Sequence, residues 1–368
     1  MADIVWFIGA GASAPFGIPT MQGMVTEFRK ELEEVGVQDE NGLFDDIFTF
    51  LSANLGRPVD LESVFTVVDS LIHWSPERIG IASLFQSACV SEGKYSKPSK
   101  EVIGSKVVAP PEEFVTPAKK LRKRFEDFVK RKCEITEDVI PRIDKAYGQL
   151  FDLVGQAAMV RNQGSNQHVY SDWPIFTTNY DAILECYWVD CARVALNTGF
   201  SYNDVAGSKV TVPDNLRNPG LRLFKLHGSV TWLLDPVHGL TEQRVVPKDM
   251  SKYTGRKFSG QVIVYPIEEK QLYVEPYMTM FHQLNRELRN TEKWVVVGYS
   301  FGDKIVRDMF VRCSTPQIRM ALIHTHGKEV KVRLEEEGFE GKIATYTSPF
   351  SDNLDPVVFE KLKLWLVR

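Results

Sequence analysis

The sequence predicts an α/β fold: a Rossmann-like parallel sheet of about six strands with a large, mainly helical insertion. Six short apolar runs end in small or polar residues: Ile4–Ile8, Pro174–Thr178, Leu221–Leu226, Trp294–Val297, Ile318–Thr325 and Ile343–Thr347. Buried parallel strands read this way when their tips face a ligand. Helices follow some of these tips. Asp181 can cap a helix through 182–188, and Gly302-Asp303 precedes a helical Lys304–Cys313. Between the first and second runs no strand pattern occurs. Met24–Glu33, Leu43–Leu51, Leu61–His73 and Lys119–Lys132 read as helices there, and Ser91–Pro111, rich in Ser, Lys, Pro and Gly, reads as a loop or linker.

These elements give a discontinuous sheet domain, residues 1–23 and 165–368, interrupted by a helical module at 24–164. Phe200–Pro219 is expected to be an ordered loop rich in turn residues, and Asp235–Ser259 a second polar insertion. No internal repeat is visible.

The chain has 368 residues, 43% hydrophobic and 25% charged, with a formal net charge of −4. That balance suits a globular protein with a sizeable core and argues against nucleic acid as the main target. No apolar run approaches the roughly 18 residues that span a bilayer, so no membrane association is expected. Asp3 and the glycine-rich turn after Ile8 break any signal-peptide pattern. The five cysteines, Cys89, Cys133, Cys186, Cys191 and Cys313, form no C-x-x-C pair. Cys186 and Cys191, five apart on an expected helix, should point in different directions. Reduced thiols, a cytoplasmic location and no metal site are the expectation.

The segment Gly9-Ala10-Gly11-Ala12-Ser13 directly follows the first strand. Two readings are open. The glycines can let backbone N–H groups and a following helix N-terminus meet a pyrophosphate, with Ser13 adding a hydroxyl, or they can simply relieve a tight strand-to-helix turn. The dehydrogenase fingerprint is incomplete. Its third glycine falls on Ala14, and no second strand ends in an acidic residue about 20 positions later.

The loop continues as Pro15-Phe16-Gly17-Ile18-Pro19. Later come Thr177-Thr178-Asn179-Tyr180-Asp181, then His227-Gly228, then Gly298-Tyr299-Ser300. This ordered set resembles the sirtuin family: a G-A-G-x-S…G-I-P loop, a T-x-N-x-D strand end, an H-G dipeptide and a G-x-S strand end. The resemblance implies NAD as the bound molecule. It implies Gly9, Ala10, Gly11 and Ser13 at the diphosphate, Asn179 and Asp181 around the nicotinamide ribose, His227 as acid/base, and Gly298 and Ser300 as further contacts. Chemistry agrees in outline. An amide such as Asn179 can fix a ribose or a water, and a histidine titrates near neutral pH; plain turn chemistry for Asn179 and a satisfied buried histidine for His227 are the other readings. For Asp181, orienting a hydroxyl and capping its helix stay equally open. His324 stays open between core packing and the adenosine half of the ligand.

The sequence departs from deacylating sirtuins. Gly17-Ile18-Pro19 leads to Thr20-Met21-Gln22 rather than Asp-Phe-Arg, Thr178 replaces a glutamine, and no cysteine lies between residues 191 and 313, where that family carries its zinc module. In these respects it is similar to bacterial sirtuin-like proteins of antiphage defence. That resemblance implies an NAD hydrolase that releases nicotinamide and ADP-ribose and halts an infected cell by abortive infection. Protein deacylation and a silent NAD or ADP-ribose sensor are the alternatives. Asp355–Arg368 suffices for one helix after the sheet, so control is expected from a homo-oligomer or a separate partner. The resemblance suggests a HerA-type ring ATPase, with nucleic acid involved only indirectly.

Two further patterns occur in the sequence. Gly298-Tyr299-Ser300-Phe301-Gly302 also fits the nucleophile elbow of α/β-hydrolases, with Asp308 and His324 or His326 downstream. Asp308 falls inside a helix, however, and that reading leaves Asn179 and the glycine loop unused. In 119–132, Leu121, Phe125, Phe128 and Val129 share one helix face, so the basic residues form its solvated side, either as a plain surface helix or as a contact for nucleic acid or a partner.

Overall fold

The six apolar runs become six parallel strands of one sheet. The computed structural model describes residues 4–36, 38–56, 59–72, 85, 112–161, 173–203, 208–211, 221–235, 239–242, 261–263, 276–352 and 355–367. In chain order the strands are β1 (Val5–Ile8), β2 (Pro174–Thr177), β3 (Phe200–Asn203), β4 (Ser208–Thr211), β5 (Arg222–Lys225), β6 (Gly228–Asp235), β7 (Gly239–Glu242), β8 (Gln261–Ile263), β9 (Lys293–Val297), β10 (Arg319–Ile323) and β11 (Lys342–Tyr346). The larger helices are α1 (Met21–Val35), α2 (Gln38–Asn54), α3 (Leu61–Ile72), α4 (Glu112–Lys132), α5 (Ile140–Arg161), α6 (Tyr277–Asn290), α7 (Lys304–Cys313), α8 (Gly327–Glu336) and α9 (Pro356–Val367). The expected linker at 91–111 lies outside the described residues.

The parallel sheet has the order β11-β10-β9-β1-β2-β5, a Rossmann-like arrangement. From β1 the chain builds outward through β2 and β5, then crosses back to build β9, β10 and β11 on the other edge. The switch falls between β1 and β9, where an open sheet of this kind leaves a crevice beyond its strand tips. Ile8 pairs with both Thr177 and Val297, and Thr177 pairs with Lys225. The tips therefore end level, and four loops leave the sheet side by side.

Side-chain alternation covers both faces of this sheet. Trp6 packs on Phe151 of α5 with ring centroids 4.9 Å apart, whereas Phe7 packs on Tyr299 (4.5 Å) and on Phe310 of α7 (5.3 Å). All four residues of β1 are buried. An all-apolar strand is stable only when both of its faces are covered.

Phe200–Pro219 was expected as a loop, but its described residues contain β3 and β4. The polar insertion Asp235–Ser259 begins at the end of β6 and carries β7. With β8 these strands form a second, antiparallel sheet in the order β3-β4-β7-β6-β8. Strands such as Ser208-Lys-Val-Thr211 and Gly239-Leu-Thr-Glu242 are short and half polar, so neither an apolar run nor a long alternation marks them. The helix after Asp181 also differs. Ile183–Glu185 continues into a π-helical turn, Cys186–Cys191. This wider winding brings residues five apart closer together, and the Cys191 thiol adds to burial in pushing the Cys186 thiol up to about 12.

By their contacts the residues divide into two units. One comprises 1–18, 133–263 and 271–368, and the other comprises 19–132 and 264–270. Helix α5 was not among the expected helices; its residues lie in the range assigned to the 24–164 module but fall in the sheet unit. There Tyr147 and Phe151 stack among Tyr187 and Trp188. The helical unit has its own aromatic core, in which the Phe28 ring meets Phe44, Phe125 and Phe128 at 5.6, 5.5 and 5.1 Å. The basic side of α4 is largely committed within that unit. Arg122 pairs with Asp69 at 2.6 Å, Arg124 with Glu40 at 3.4 Å, Arg131 with Glu31 at 2.5 Å and Lys132 with Glu27 at 2.5 Å. Among the described residues no helix is long and apolar enough to cross a membrane.

Candidate functional site

The loop after β1 is held by glycines against the loop after β9. Gly9 N–H donates to Val297 O and Gly11 N–H to Gly298 O, both at 2.8 Å. A Cβ on Gly9 would fall 2.6 Å from Tyr299 Cα, and one on Gly11 would fall 2.8 Å from Gly298 O. These glycines therefore allow two strand tips to meet backbone to backbone. No long helix follows directly. Two 3₁₀ turns, Ala10–Ala12 and Ala14–Phe16, occupy the place expected for a helix N-terminus. The N–H groups of Ala12 and Ser13 are spent inside the first turn, on Gly9 O and Ala10 O. Ala10 and Gly11 are half-buried, and Ser13 is buried.

Asn179, two residues past the tip of β2, reaches back to this loop. Its Nδ2 donates to Gly9 O at 3.0 Å and to Ser13 Oγ at 2.9 Å, and its backbone N–H donates to Thr177 Oγ1 at 3.0 Å. The amide orientation is thereby fixed, with both donor hydrogens used. Its Oδ1 is buried and has no hydrogen-bond partner, although the residue is only 7% exposed. A buried amide oxygen without a partner costs about 1–3 kcal/mol unless a ligand or water supplies a donor. Ser13 Oγ accepts from Asn179, so its own O–H is a donor for another group.

Asp181 is buried, and its Oδ1 accepts the N–H of Ile183 at 3.1 Å. This is the capping geometry, one residue displaced from a conventional N-cap. Lys225, at the tip of β5 and 1% exposed, reinforces the same loop. Its ammonium donates to the Asp181 carbonyl and pairs with Glu185 at 2.9 Å. In the sequence Lys225 is the polar end of β5, Arg222-Leu223-Phe224-Lys225, and nothing local marks its contact with the Asp181 loop.

His227 and Gly228 form the turn from β5 into β6. Gly228 takes φ +83°, a left-handed conformation that favours glycine, and this explains the dipeptide. Leu226 N–H donates to Thr177 O at 2.9 Å and Val230 N–H to Tyr180 O at 3.0 Å, tying this turn to the Asn179 loop. The His227 ring lies 6.4 Å from that of Tyr180. Its Nε2 lies 2.9 Å from Asp303 Oδ2, with both side chains buried. Asp303 caps α7 through Oδ1, which accepts from Ile305 and Val306. The sequence marked it only as a helix start. Its partner is 76 positions away, and no local spacing announces such a contact.

The loop after β9 brings Gly298, half-buried with φ +64°, against Gly11. Ser300 is exposed, and its carbonyl accepts from Arg333 of α8. Phe301 holds φ +56° with its ring fully buried against Tyr299 and Phe310. A bulky residue with positive φ is strained, which packing must overcome. Of the residues expected to act together, Gly9, Ser13 and Asn179 form one bonded cluster, and Gly11 and Gly298 meet beside it. His227 joins the Asn179 loop through its turn. Asp308 lies within α7, away from a strand end, which removes the support for a hydrolase triad.

None of the curated proteins compared with the chain matches it. Among solved structures it is similar to a complex of a Sir2 homologue with NAD, at 12% identity and TM-score 0.43, covering 99% of this chain and 90% of that one. It is also similar to a Sir2 homologue mutant bound to 2′-O-acetyl-ADP-ribose (12% identity, TM-score 0.41, covering 99% and 93%). A third structure, described by its mechanism and regulation of Sir2 enzymes, matches at 13% identity and TM-score 0.40, covering 98% and 93%. Such distant likenesses leave the fold assignment to rest on the sheet order itself. Residues 174–334, which carry Asn179, Asp181, His227, Gly298 and Asp303, match the family described as the SIR2-like domain.

Proposed function

We propose that this chain is an NAD hydrolase that cleaves the nicotinamide–ribose bond with water, giving nicotinamide and ADP-ribose. One observation carries the reading: Asn179 Oδ1 is buried and unpartnered while its Nδ2 is locked by Gly9 and Ser13. Such an oxygen is a ready acceptor for the O–H of a ribose or of an attacking water. It sits at the strand tips of a Rossmann-like sheet beside its switch point, where dinucleotides bind in folds of this kind.

Cleavage gives the bond's electron pair to nicotinamide, which leaves neutral, and develops positive charge on the ribose. Water adds to that carbon and loses a proton. His227, whose imidazole can take up a proton, is the acceptor of that proton. Asn179 and Ser13 orient the oxygen that attacks or its neighbouring hydroxyl. Hydrolysis is favoured over lysine deacylation because the sequence lacks the cysteines that frame the acyl-lysine groove. By resemblance, the activity would deplete NAD in an infected bacterial cell, under control of self-assembly or a HerA-type ring ATPase.

The test is incubation of the purified chain with NAD, alone and with the ring ATPase, following nicotinamide release. Release that Asn179→Ala and His227→Ala abolish, while NAD binding persists, supports the reading. Turnover of an acyl-lysine peptide without NAD hydrolysis overturns it, and so does NAD binding without cleavage. Gel filtration of the chain alone and with the ATPase decides the partner.

A further inference from the structure

The two oxygens of Asp303 do different work. Oδ1 accepts the N–H groups of Ile305 at 2.8 Å and Val306 at 3.3 Å, while Oδ2 faces His227 Nε2 at 2.9 Å. The histidine and aspartate side chains are 5% and 6% exposed. Two backbone donors and the positive end of α7 favour the ionised carboxylate. An ionised carboxylate only accepts hydrogen bonds. Nε2 is therefore the protonated nitrogen, and the lone pair of the neutral ring falls on Nδ1.

We propose that Asp303 is a positioning residue that fixes the Nε2–H tautomer of His227, so that Nδ1 is the atom that takes the proton during NAD cleavage. The role in turnover rests on the reading of His227 given above. The proton moves from the attacking water, or from a ribose hydroxyl, to Nδ1. The ring becomes an imidazolium, keeps its Nε2–H against Asp303, and later returns the Nδ1 proton to solvent. Asp303 stays ionised throughout. The carboxylate is anchored at the start of α7, and the histidine sits on a turn that leaves β5. Strand β9, which precedes Asp303 in the chain, and β5 are separated in the sheet by β1 and β2, a span of about 14 Å at the usual spacing between strands. The pair thus links loops from opposite sides of the switch point.

Asp303→Asn separates the two roles of this residue. Asparagine caps helices as well as aspartate does. With its Oδ1 held on Ile305 and Val306, its amide NH₂ faces His227 and donates to Nε2, which reverses the tautomer with little change of shape. The experiment uses the full chain labelled with ¹⁵N-histidine and reads ring tautomers by two-bond ¹H–¹⁵N correlation. The His227 signal is assigned by its loss in His227→Gln.

The expected result is Nε2–H in the wild type and Nδ1–H in Asp303→Asn, with unchanged thermal melting. The kcat for NAD cleavage falls on the order of 100-fold or more, with KM little altered. An Nδ1–H wild type overturns the proposal, as does Asp303→Asn with wild-type kcat. Should Asp303→Asn fail to fold, Asp303→Ser keeps a capping hydroxyl without charge. The His227 ring should then titrate at lower pH than in the wild type, and an unchanged titration overturns the proposal. A wild type that never cleaves NAD sinks the hydrolase reading alone, because the tautomer spectra need no turnover.

Discussion

Gly11 and Gly298 meet backbone to backbone, with the Gly11 N–H donating to the Gly298 carbonyl at 2.8 Å and Gly298 held at φ +64°. A Cβ on Gly298 would fall 2.5 Å from the Gly11 carbonyl carbon and overlap Ala12 N. Both neighbours are backbone, which cannot rotate away as a side chain would. Gly298→Ala should therefore cost at least about 3 kcal/mol, from backbone strain plus overlap. Gly17, at φ +90° with open space around its Cβ position, is the control, and its alanine variant should cost about 1–2 kcal/mol. Urea unfolding checks both, and similar midpoints for the two variants would refute the close-packing account.

Asn179 should separate binding from chemistry. Asn179→Ala removes the oriented oxygen, and nicotinamide release should fall by about 100-fold or more while NAD affinity changes little. Asn179→Asp keeps an oxygen but replaces the donor facing Gly9 O and Ser13 Oγ. Setting an acceptor against the Gly9 carbonyl should lower unfolding stability by about 1–3 kcal/mol. Calorimetric titration with NAD and denaturant melts measure the two effects separately.

Arg222 and Glu287 form a buried ion pair, with side chains 3% and 7% exposed and 3.3 Å between them. Removing Glu287 takes away the carboxylate that faces the buried Arg222 and the partly exposed Arg286. Glu287→Ala should cost about 3–5 kcal/mol, and joint replacement as Arg222→Met with Glu287→Leu should recover most of that loss. A double variant no more stable than Glu287→Ala would contradict this.

His324 predicts a pH response. Burial, and then the neighbouring His326 and Arg333, lower its pKa from the ordinary 6.5. In addition, its Nδ1 accepts the N–H of His326 at 3.0 Å, a bond that protonation breaks. The unfolded chain thus binds this proton first. The contribution of His324 is intact above about pH 6.5 and is lost as the pH falls from there towards the lowered folded value. Melting temperature should drop more between pH 7 and pH 5 in the wild type than in His324→Gln, and parallel curves would refute the assignment.

The parallel sheet was legible because buried strands such as Val5–Ile8 and Lys293–Val297 need apolar residues on both faces, and that demand is written locally. The antiparallel strands were not, since β4 and β7 are four residues each, and Lys209, Thr211, Thr241 and Glu242 make them look like turn sequence. Helix α5 did carry a signal in Ile143, Tyr147, Leu150 and Phe151 at helical spacing, and it was passed over. Within the site, motifs that depend on backbone shape could be read, such as the glycines that permit close approach and Gly228 with its positive φ. Contacts made by topology could not. Asp303 looks like any helix cap until β5 and β9 are placed, and Lys225 looks like the polar end of a strand until the Asp181 loop folds over it.

The position of β1 has a consequence for how the chain comes to fold. It is the earliest strand of the parallel sheet to be synthesised, yet it pairs with β2 on one edge and β9 on the other. The ribosome must add everything from Gly9 to Glu292 before the second edge can close, roughly 15–60 s of synthesis. Throughout that interval a four-residue, wholly apolar strand has an unpaired edge, the kind of surface that recruits other chains. A nascent chain stopped short of β9 should therefore depend on chaperones or aggregate. Completion of β9 closes the sheet, and in the same step brings Gly298 onto Gly11 and α7 within reach of the turn after β5.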